Sequence, residues 1–123
     1  MSTEIRTLLE RGLQAFTAKD LPALSSIFAD DAVFYDPHYP SPEARGKIAI
    51  QEGFKYAFGM IKQPGFSIRN FWGNGQSGVA EVDTHHVLEN GTEVNIPQIF
   101  VIEVKEDLVT RLQVYVPYPP PPQ

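Results

Sequence analysis

The spacing of hydrophobic positions changes once along the chain, from a helical period in the first half to strict alternation in the second. Between residues 5 and 16, apolar residues recur every three or four positions, which predicts an amphipathic helix. Asp20 has the properties of a helix cap, and a short second helix is predicted over residues 21–29. A third helix is predicted over residues 47–61, because the helical spacing returns there and stops before Pro64.

Strands are predicted on both sides of the third helix. Residues 32–36 form a short apolar strand that stops at Pro37, because proline cannot donate to a sheet ladder and holds the preceding residue extended. The segment 37–46 is predicted to be a loop. From Phe66 onward, alternation predicts four strands, and Asn90-Gly91 is interpreted as a two-residue hairpin turn between the second and the third. The four strands are predicted at residues 66–72, 78–89, 92–104 and 108–116.

This order of elements predicts an α+β domain. We expect a cone-shaped, curved and mainly antiparallel sheet wrapped around the long third helix, with a cavity between helix and sheet. The domain is predicted over residues 1–116. Residues 117–123 form a proline-rich tail, interpreted as an extended surface segment. A ligand for a proline-reading domain is the alternative.

A two-residue turn at Asn90-Gly91 fixes which side chains share a face of the sheet. Directly opposed residues lie on one face and side chains alternate along each strand. The face predicted to line the cavity carries Asp83, His85, Val87, Val94, Ile96, Gln98 and Phe100. The opposite face, with Val82, Ile99 and Val101, is predicted to be a homodimer surface. A slip of one residue would exchange the two faces.

Composition excludes several classes of partner. With 123 residues, 42% of them hydrophobic, the chain is sufficient for one domain with a core. The net charge of −5 makes it a poor ligand for nucleic acid or anionic lipid. It has no cysteine, which fits a cytoplasmic protein without disulfides or thiolate chemistry. No apolar run reaches the roughly 18 residues of a membrane span, and no signal peptide is predicted.

Candidate catalytic residues centre on Asp36, which follows the first strand beside a proline. It is interpreted as a cavity carboxylate acting as general base; the alternative is an aspartate that caps a turn. Gln98 can donate its amide N–H to a developing oxyanion or be satisfied by neighbouring groups. His85, paired with Asp83 or Asp36, is either an acid–base group near neutral pH or a hydrogen-bonded sheet histidine. His85 and His86 are adjacent on a strand and point to opposite faces, so no two-histidine metal site is expected.

The residues predicted to contact a ligand are aromatic, imidazole or acidic groups near the predicted cavity. They are His38, Tyr39, Phe54, Tyr56, Phe58, Trp72, Asp83, Phe100 and Tyr115. The alternative is a plain surface position for the loop residues His38 and Tyr39, and core packing for the other aromatic rings. The chain contains no phosphate-binding glycine loop, nucleophile elbow or metal-ligand spacing. Neither a cofactor nor a metal is therefore expected.

Four stretches resemble a known group of proteins: LQAFTAKDL at 13–21, IFADDAVFYDP at 27–37, GKIAI at 46–50 and LVTRLQVY at 108–115. They are similar to the SnoaL-like and ketosteroid-isomerase-like branch of the nuclear transport factor 2-like superfamily. The resemblance covers nearly the whole chain and implies a cystatin-like α+β barrel. The superfamily holds isomerases, cyclases, dehydratases, epoxide hydrolases and non-catalytic binders, so the resemblance specifies fold more than activity.

The resemblance also implies roles for single positions. Asp36 matches the general base of the ketosteroid-isomerase-like members. The position of their tyrosine donor falls on Gly12, and that of their un-ionised acid falls on Gln98. We therefore expect a cofactor-independent isomerase, cyclase or dehydratase (an isomerase or lyase) that abstracts a proton beside a carbonyl of a small apolar substrate. The alternatives are a non-catalytic, homodimeric ligand-binding module and an assembly dimer with a vestigial cavity.

Overall fold

The computed structural model describes residues 4–117, which form three helices and seven strands. The helices are α1 (Ile5–Thr17), α2 (Leu21–Ser26) and α3 (Lys47–Met60). The strands are β1 (Phe28–Tyr35), β2 (Glu43–Arg45), β3 (Ile61–Gln63), β4 (Phe66–Gly73), β5 (Ser77–Leu88), β6 (Glu93–Lys105) and β7 (Leu108–Tyr115). Except for Pro117, the predicted proline-rich tail lies outside the described residues. Within residues 4–117, no helix is long and apolar enough to cross a membrane.

All seven strands belong to one mixed sheet, and the predicted α+β class is confirmed. The strand order is β2-β1-β7-β6-β5-β3, and β4 also pairs with β5. The β1–β7 pair is parallel, whereas the other pairs are antiparallel. The sheet curves around the helices but ends at β2 and β3, so it is open and not a closed barrel.

Aromatic rings join the helices to the sheet. The Phe54 ring of α3 lies 6.0 Å from Phe16 of α1, and 5.8 and 5.3 Å from Phe28 and Phe34 of β1. Phe54 and Phe28 are almost completely buried. Such edge and tilted contacts stabilise a core beyond the area that they bury. The predicted cap of α2 is confirmed, because the Asp20 carboxylate accepts the N–H of Ala23 at 3.1 Å.

Two element boundaries differ from the sequence prediction. The second helix ends at Ser26, and β1 begins at Phe28 instead of residue 32. Asp30 and Asp31 are exposed within β1, where the register with β7 shifts between Phe28 and Val33. This irregularity interrupts the alternation that marks a strand. The predicted loop 37–46 also contains the short strand β2, which pairs with the end of β1.

The β5–β6 hairpin has a three-residue loop, so the predicted register is wrong by one residue. The Gly91 N–H donates to the Leu88 carbonyl at 2.9 Å, and the Leu88 N–H donates to Thr92 at 2.8 Å. Gly91 has a φ of +88°, whereas Asn90 has no positive φ. A two-residue type I′ turn needs positive φ at both positions, but a type I turn followed by a left-handed glycine makes a three-residue loop. As a result, Val87 pairs with Glu93 instead of with Val94.

Because the loop is one residue longer than predicted, each residue of β5 lies on the face opposite to the predicted one. The residues of β6 lie on the predicted faces. Asp83, His85 and Val87 lie on the outer face, contrary to the prediction. Val82 was predicted on the dimer surface but is only 1% exposed, on the inner face. The inner face carries Val82, Thr84, His86 and Leu88 of β5 with Val94, Ile96, Gln98 and Phe100 of β6.

Candidate functional site

A cavity of about 780 Å³ separates the helices from the inner face of the sheet. Its deep end is lined by almost completely buried apolar residues, including Phe28, Ile102 and Val109. Its rim carries Tyr56 and Met60 of α3, which are 40% and 48% exposed. The β5–β6 hairpin lies beside them, because the Glu89 N–H donates to the Met60 carbonyl at 3.0 Å. A mainly apolar cavity of this volume suits a small organic molecule.

Asp36 follows β1 directly, and its backbone and side chain are both fixed by the turn after it. Its N–H donates to Pro42 at 2.9 Å, and its carbonyl accepts the Tyr39 N–H at 3.2 Å. The carboxylate Oδ1 accepts the backbone N–H of His38 at 2.9 Å. The same side chain lines the cavity and is only 14% exposed. Asp36 therefore caps the turn and is a cavity carboxylate at once.

The imidazole of His38 is oriented by Asp36. Its Nδ1 lies 2.8 Å from Asp36 Oδ1. Because an ionised carboxylate only accepts hydrogen bonds, Nδ1 carries a proton and donates it to Oδ1. The second carboxylate oxygen, Oδ2, has no hydrogen-bond partner within residues 4–117. Oδ2 is therefore the oxygen that can accept a proton from a bound molecule.

Gln98 presents its amide nitrogen to the same part of the cavity. The Thr84 hydroxyl donates to Gln98 Oε1 at 3.0 Å, which directs the amide nitrogen toward His38 Nδ1, 3.5 Å away. Because the Nδ1 proton is committed to Asp36, Nδ1 cannot accept from the amide. The buried Gln98 N–H is thus able to donate to an oxygen of a ligand.

Tyr39 adds a phenol that remains protonated. Its ring contacts the edge of Phe34 with centroids 5.5 Å apart, and it packs on α3 at Gly53, where a Cβ would lie 3.1 Å from the ring. Burial, and secondly the charge of Asp36, raise the pKa of Tyr39 well above its ordinary value. The side chain lines the cavity as a neutral phenol that can donate a hydrogen bond.

His86 also lines the cavity, and sequence reasoning assigned it to the wrong face. Its Nδ1 accepts the backbone N–H of Gly65 at 3.2 Å. Its ring stacks on Phe16 and meets the edge of Phe66, with centroids 6.0 and 5.0 Å apart. Burial, reinforced by nearby His38, lowers the pKa of His86 to about 4, so the imidazole is neutral near pH 7. A three-residue loop at the β5–β6 hairpin would have predicted the cavity face for His86.

The structure brings seven of the predicted site residues together around the cavity and places five elsewhere. Those lining it are Asp36, His38, Tyr39, Phe54, Tyr56, Gln98 and Phe100. The predicted cavity placement is wrong for Asp83, which pairs with Arg69 at 2.6 Å on the outer face, and for His85, which contacts Asn95 at 2.8 Å.

Three predicted ligand contacts are aromatic residues that do not line the cavity. Trp72 and Tyr115 are 57% and 47% exposed on the outer face. Phe58 packs on Phe16, with centroids 5.2 Å apart, outside the cavity lining. Across the part of the chain that the structure describes, no three His, Asp or Glu side chains gather closely enough to hold a metal ion.

Comparison with known proteins identifies a family and many structures of the same fold. The model of the SnoaL-like domain family matches residues 9–112. No curated protein sequence matches the chain. A Δ5-3-ketosteroid isomerase from Mycobacterium sp. is 18% identical, with a TM-score of 0.81 over 90% of this chain and 91% of that one.

Two further structural neighbours come from Mycobacterium tuberculosis. One, crystallised with estradiol-17β-hemisuccinate, is 17% identical, with a TM-score of 0.79 over 89% of this chain and 91% of its own. The other, an LEH-like epoxide hydrolase, is 18% identical, with a TM-score of 0.76 over 89% of this chain and 80% of its own. At these identities the likeness establishes the fold.

Proposed function

The chain belongs to the SnoaL-like domain family, and on that premise we propose that it is a cofactor-independent isomerase, cyclase or dehydratase acting on a small apolar carbonyl compound. One observation carries the proposal. The Asp36 carboxylate and the Gln98 amide meet at His38 Nδ1, 2.8 and 3.5 Å from it, on the wall of a largely apolar cavity. A base and an oxyanion donor side by side are the groups that enolisation requires.

In the proposed reaction, Asp36 Oδ2 removes a proton from the carbon beside the carbonyl. The electron pair of the broken C–H bond forms the enolate, and the Gln98 N–H stabilises the developing negative charge on its oxygen. Protonated Tyr39 is a second candidate donor. His38 holds Oδ1, so that Oδ2 faces the substrate. Return of the proton to another carbon gives isomerisation, attack on a second carbonyl gives cyclisation, and loss of a β-hydroxyl as water gives dehydration.

The structural neighbours support this class of ligand and reaction. One is a ketosteroid isomerase, and another was crystallised with a steroid ester. The walls here are mainly apolar, and the buried rings of Phe28, Phe34 and Phe54 line the cavity. A bound apolar substrate displaces water from such a cavity, which strengthens each electrostatic contact made in the transition state.

The alternative is a non-catalytic binding module. It is favoured by the turn at residues 36–39, because both hydrogen bonds to Asp36 Oδ1 serve local structure. In this interpretation the carboxylate holds the loop, and the cavity binds a ligand without reaction.

Deuterium exchange at the α-carbons of bound ketones distinguishes the two functions. We expect the wild-type protein to accelerate exchange into 2-tetralone and related bicyclic ketones above the buffer rate, measured by NMR. Asp36→Asn should retain binding, since the asparagine oxygen can still cap the turn, but lose the acceleration. Asp83→Asn on the outer face is the matched control. If the wild type binds the ketones but does not accelerate exchange, the binding module is supported. If Asp36→Asn accelerates exchange as much as the wild type does, Asp36 is not the base.

We also propose a homodimer formed through the outer face of the sheet. Trp72, Tyr115 and Val79 are 57%, 47% and 36% exposed there, and Ile99 and Val101 lie among them. Exposed aromatic and aliphatic groups on one face are typical of protein interfaces. Light scattering should give the dimer mass for the wild type and for Asp83→Asn, and the monomer mass for Trp72→Glu. A wild-type monomer at micromolar concentration would contradict the proposal.

A further inference from the structure

His86 forms a second polar site in the cavity. His86 lies two residues beyond Thr84 on β5, toward the hairpin, and both side chains face the cavity. Two residues of strand span roughly 7 Å. Thr84 contacts the Gln98 amide oxygen, so His86 lies about that distance along β5 from the residue that holds the amide. The cavity therefore has polar groups at two separated points on one wall.

The contacts of His86 fix which of its nitrogens carries the proton. Nδ1 accepts the N–H of Gly65 at 3.2 Å, so Nδ1 is unprotonated. In a neutral imidazole the proton is then on Nε2. The ring is held by stacking on Phe16 and by the edge of Phe66. His86 is therefore an oriented hydrogen-bond donor.

Within residues 4–117, Nε2 of His86 has no hydrogen-bond partner, and the side chain is half-buried at the cavity surface. Binding of an apolar molecule would remove water from this N–H and leave it unpaired, at a cost in affinity. A ligand that supplies an acceptor there avoids this cost.

The charges around the cavity determine the kind of acceptor. The described lining residues include the carboxylates Asp36 and Glu93 and no lysine or arginine. An anionic ligand would be repelled and would find no cation to pair with. The acceptor that suits His86 is thus an uncharged oxygen, such as a carbonyl, an ether or a hydroxyl.

We propose that Nε2–H of His86 binds an uncharged oxygen at the far end of the substrate, so that the preferred ligand has two or more fused rings with oxygens at opposite ends. His86 is then a specificity-determining residue. The inference rests on the proposed function, because the first oxygen is the carbonyl activated beside Asp36.

Two bicyclic ketones of nearly equal shape test this role. The probes are 6-methoxy-2-tetralone and 6-ethyl-2-tetralone, which differ in one acceptor oxygen at the end opposite the ketone. Dissociation constants are measured for the wild type, His86→Phe and His85→Phe. We expect His86→Phe to shift the methoxy-to-ethyl affinity ratio by about threefold to tenfold toward the ethyl compound, the contribution of one neutral hydrogen bond. His85→Phe, which changes the neighbouring histidine on the outer face, should leave the ratio unchanged.

A ratio that is the same in the wild type and His86→Phe overturns the proposal, as does failure of the wild type to bind either ketone. If His86→Phe does not fold, ¹⁵N NMR of the wild type decides. The Nε2 resonance of His86 should move further with the methoxy ketone than with the ethyl ketone, and equal shifts would refute the contact. The proposed catalysis is measured separately by α-carbon exchange. If the wild type does not accelerate exchange but the affinity ratio shifts in His86→Phe, the proposed catalysis fails and the His86 site is supported. If the wild type accelerates exchange but the affinity ratio is the same in His86→Phe, only the His86 site is refuted.

Discussion

His86 should make the folded protein lose stability as the solution becomes acidic. Burial lowers the pKa of His86 from its ordinary value of 6.5 to about 4. Between these two values the unfolded chain binds more protons at this position than the folded chain. The free energy of unfolding therefore falls as pH decreases from about 6.5 toward 4, and the contribution of neutral His86 is fully present only above about 6.5.

The structure sets the size of this effect. The displacement from 6.5 to about 4 corresponds to roughly 3 kcal/mol if the ring is completely shielded. The His86 side chain is only partly buried, and solvent screens the interaction, so roughly half of that value is expected. Most of the loss occurs by pH 5, where it should be about 1 kcal/mol.

Urea unfolding at pH 7.5 and pH 5.0 measures this difference. The wild type should lose about 1 kcal/mol more between the two pH values than His86→Phe does. His85→Phe should lose slightly less than the wild type, because the charge of His85 makes a small contribution to lowering the pKa of His86. The change with pH is the decisive quantity, because the phenylalanine also removes the acceptor of the Gly65 N–H at both pH values. An equal loss in His86→Phe would refute the assignment of a buried neutral imidazole.

Three further substitutions have expected effects on stability, two of them near the site and one on the outer face. Gly65→Ala would place a Cβ 2.7 Å from the carbonyl oxygen of His85, which cannot move without shifting β5, so urea unfolding should show a loss of about 1–3 kcal/mol. Thr84→Val leaves the buried Oε1 of Gln98 without its donor, and we expect a similar loss of stability, of about 1–3 kcal/mol, together with slower α-carbon exchange. Asp83→Asn breaks a partly exposed ion pair on the outer face and should change stability by less than about 1 kcal/mol, with unchanged ketone affinity by titration.

The order and type of the main elements were predictable because the hydrophobic periods are clear. All three helices and the four C-terminal strands lie where the spacing indicates, within a few residues. The position of Asp36 at a strand end was also predictable, since Pro37 terminates the ladder. The early start of β1 was not, because Asp30 and Asp31 are exposed at an irregular point of the strand and remove its alternation.

The face of each β5 residue depended on backbone geometry that the dipeptide Asn90-Gly91 does not determine. Asn-Gly suits a type I′ turn, yet here only the glycine takes positive φ. The hairpin between β6 and β7 has positive φ at both Glu106 and Asp107, a pair with no glycine. One extra loop residue moved His86 into the cavity and His85 out of it, since side chains alternate with a period of two.

The parallel pairing of β1 with β7 has a consequence for synthesis on the ribosome. Phe28 is aligned with Val109, and the Ile27 carbonyl accepts the Val109 N–H at 2.8 Å, so this contact spans about two thirds of the chain. Until β7 emerges, β1 can pair only with the short β2, and the apolar residues around it stay uncovered. Nascent chains that stop before Leu108 should therefore be protease-sensitive and bind chaperones, because contacts so distant in sequence form late.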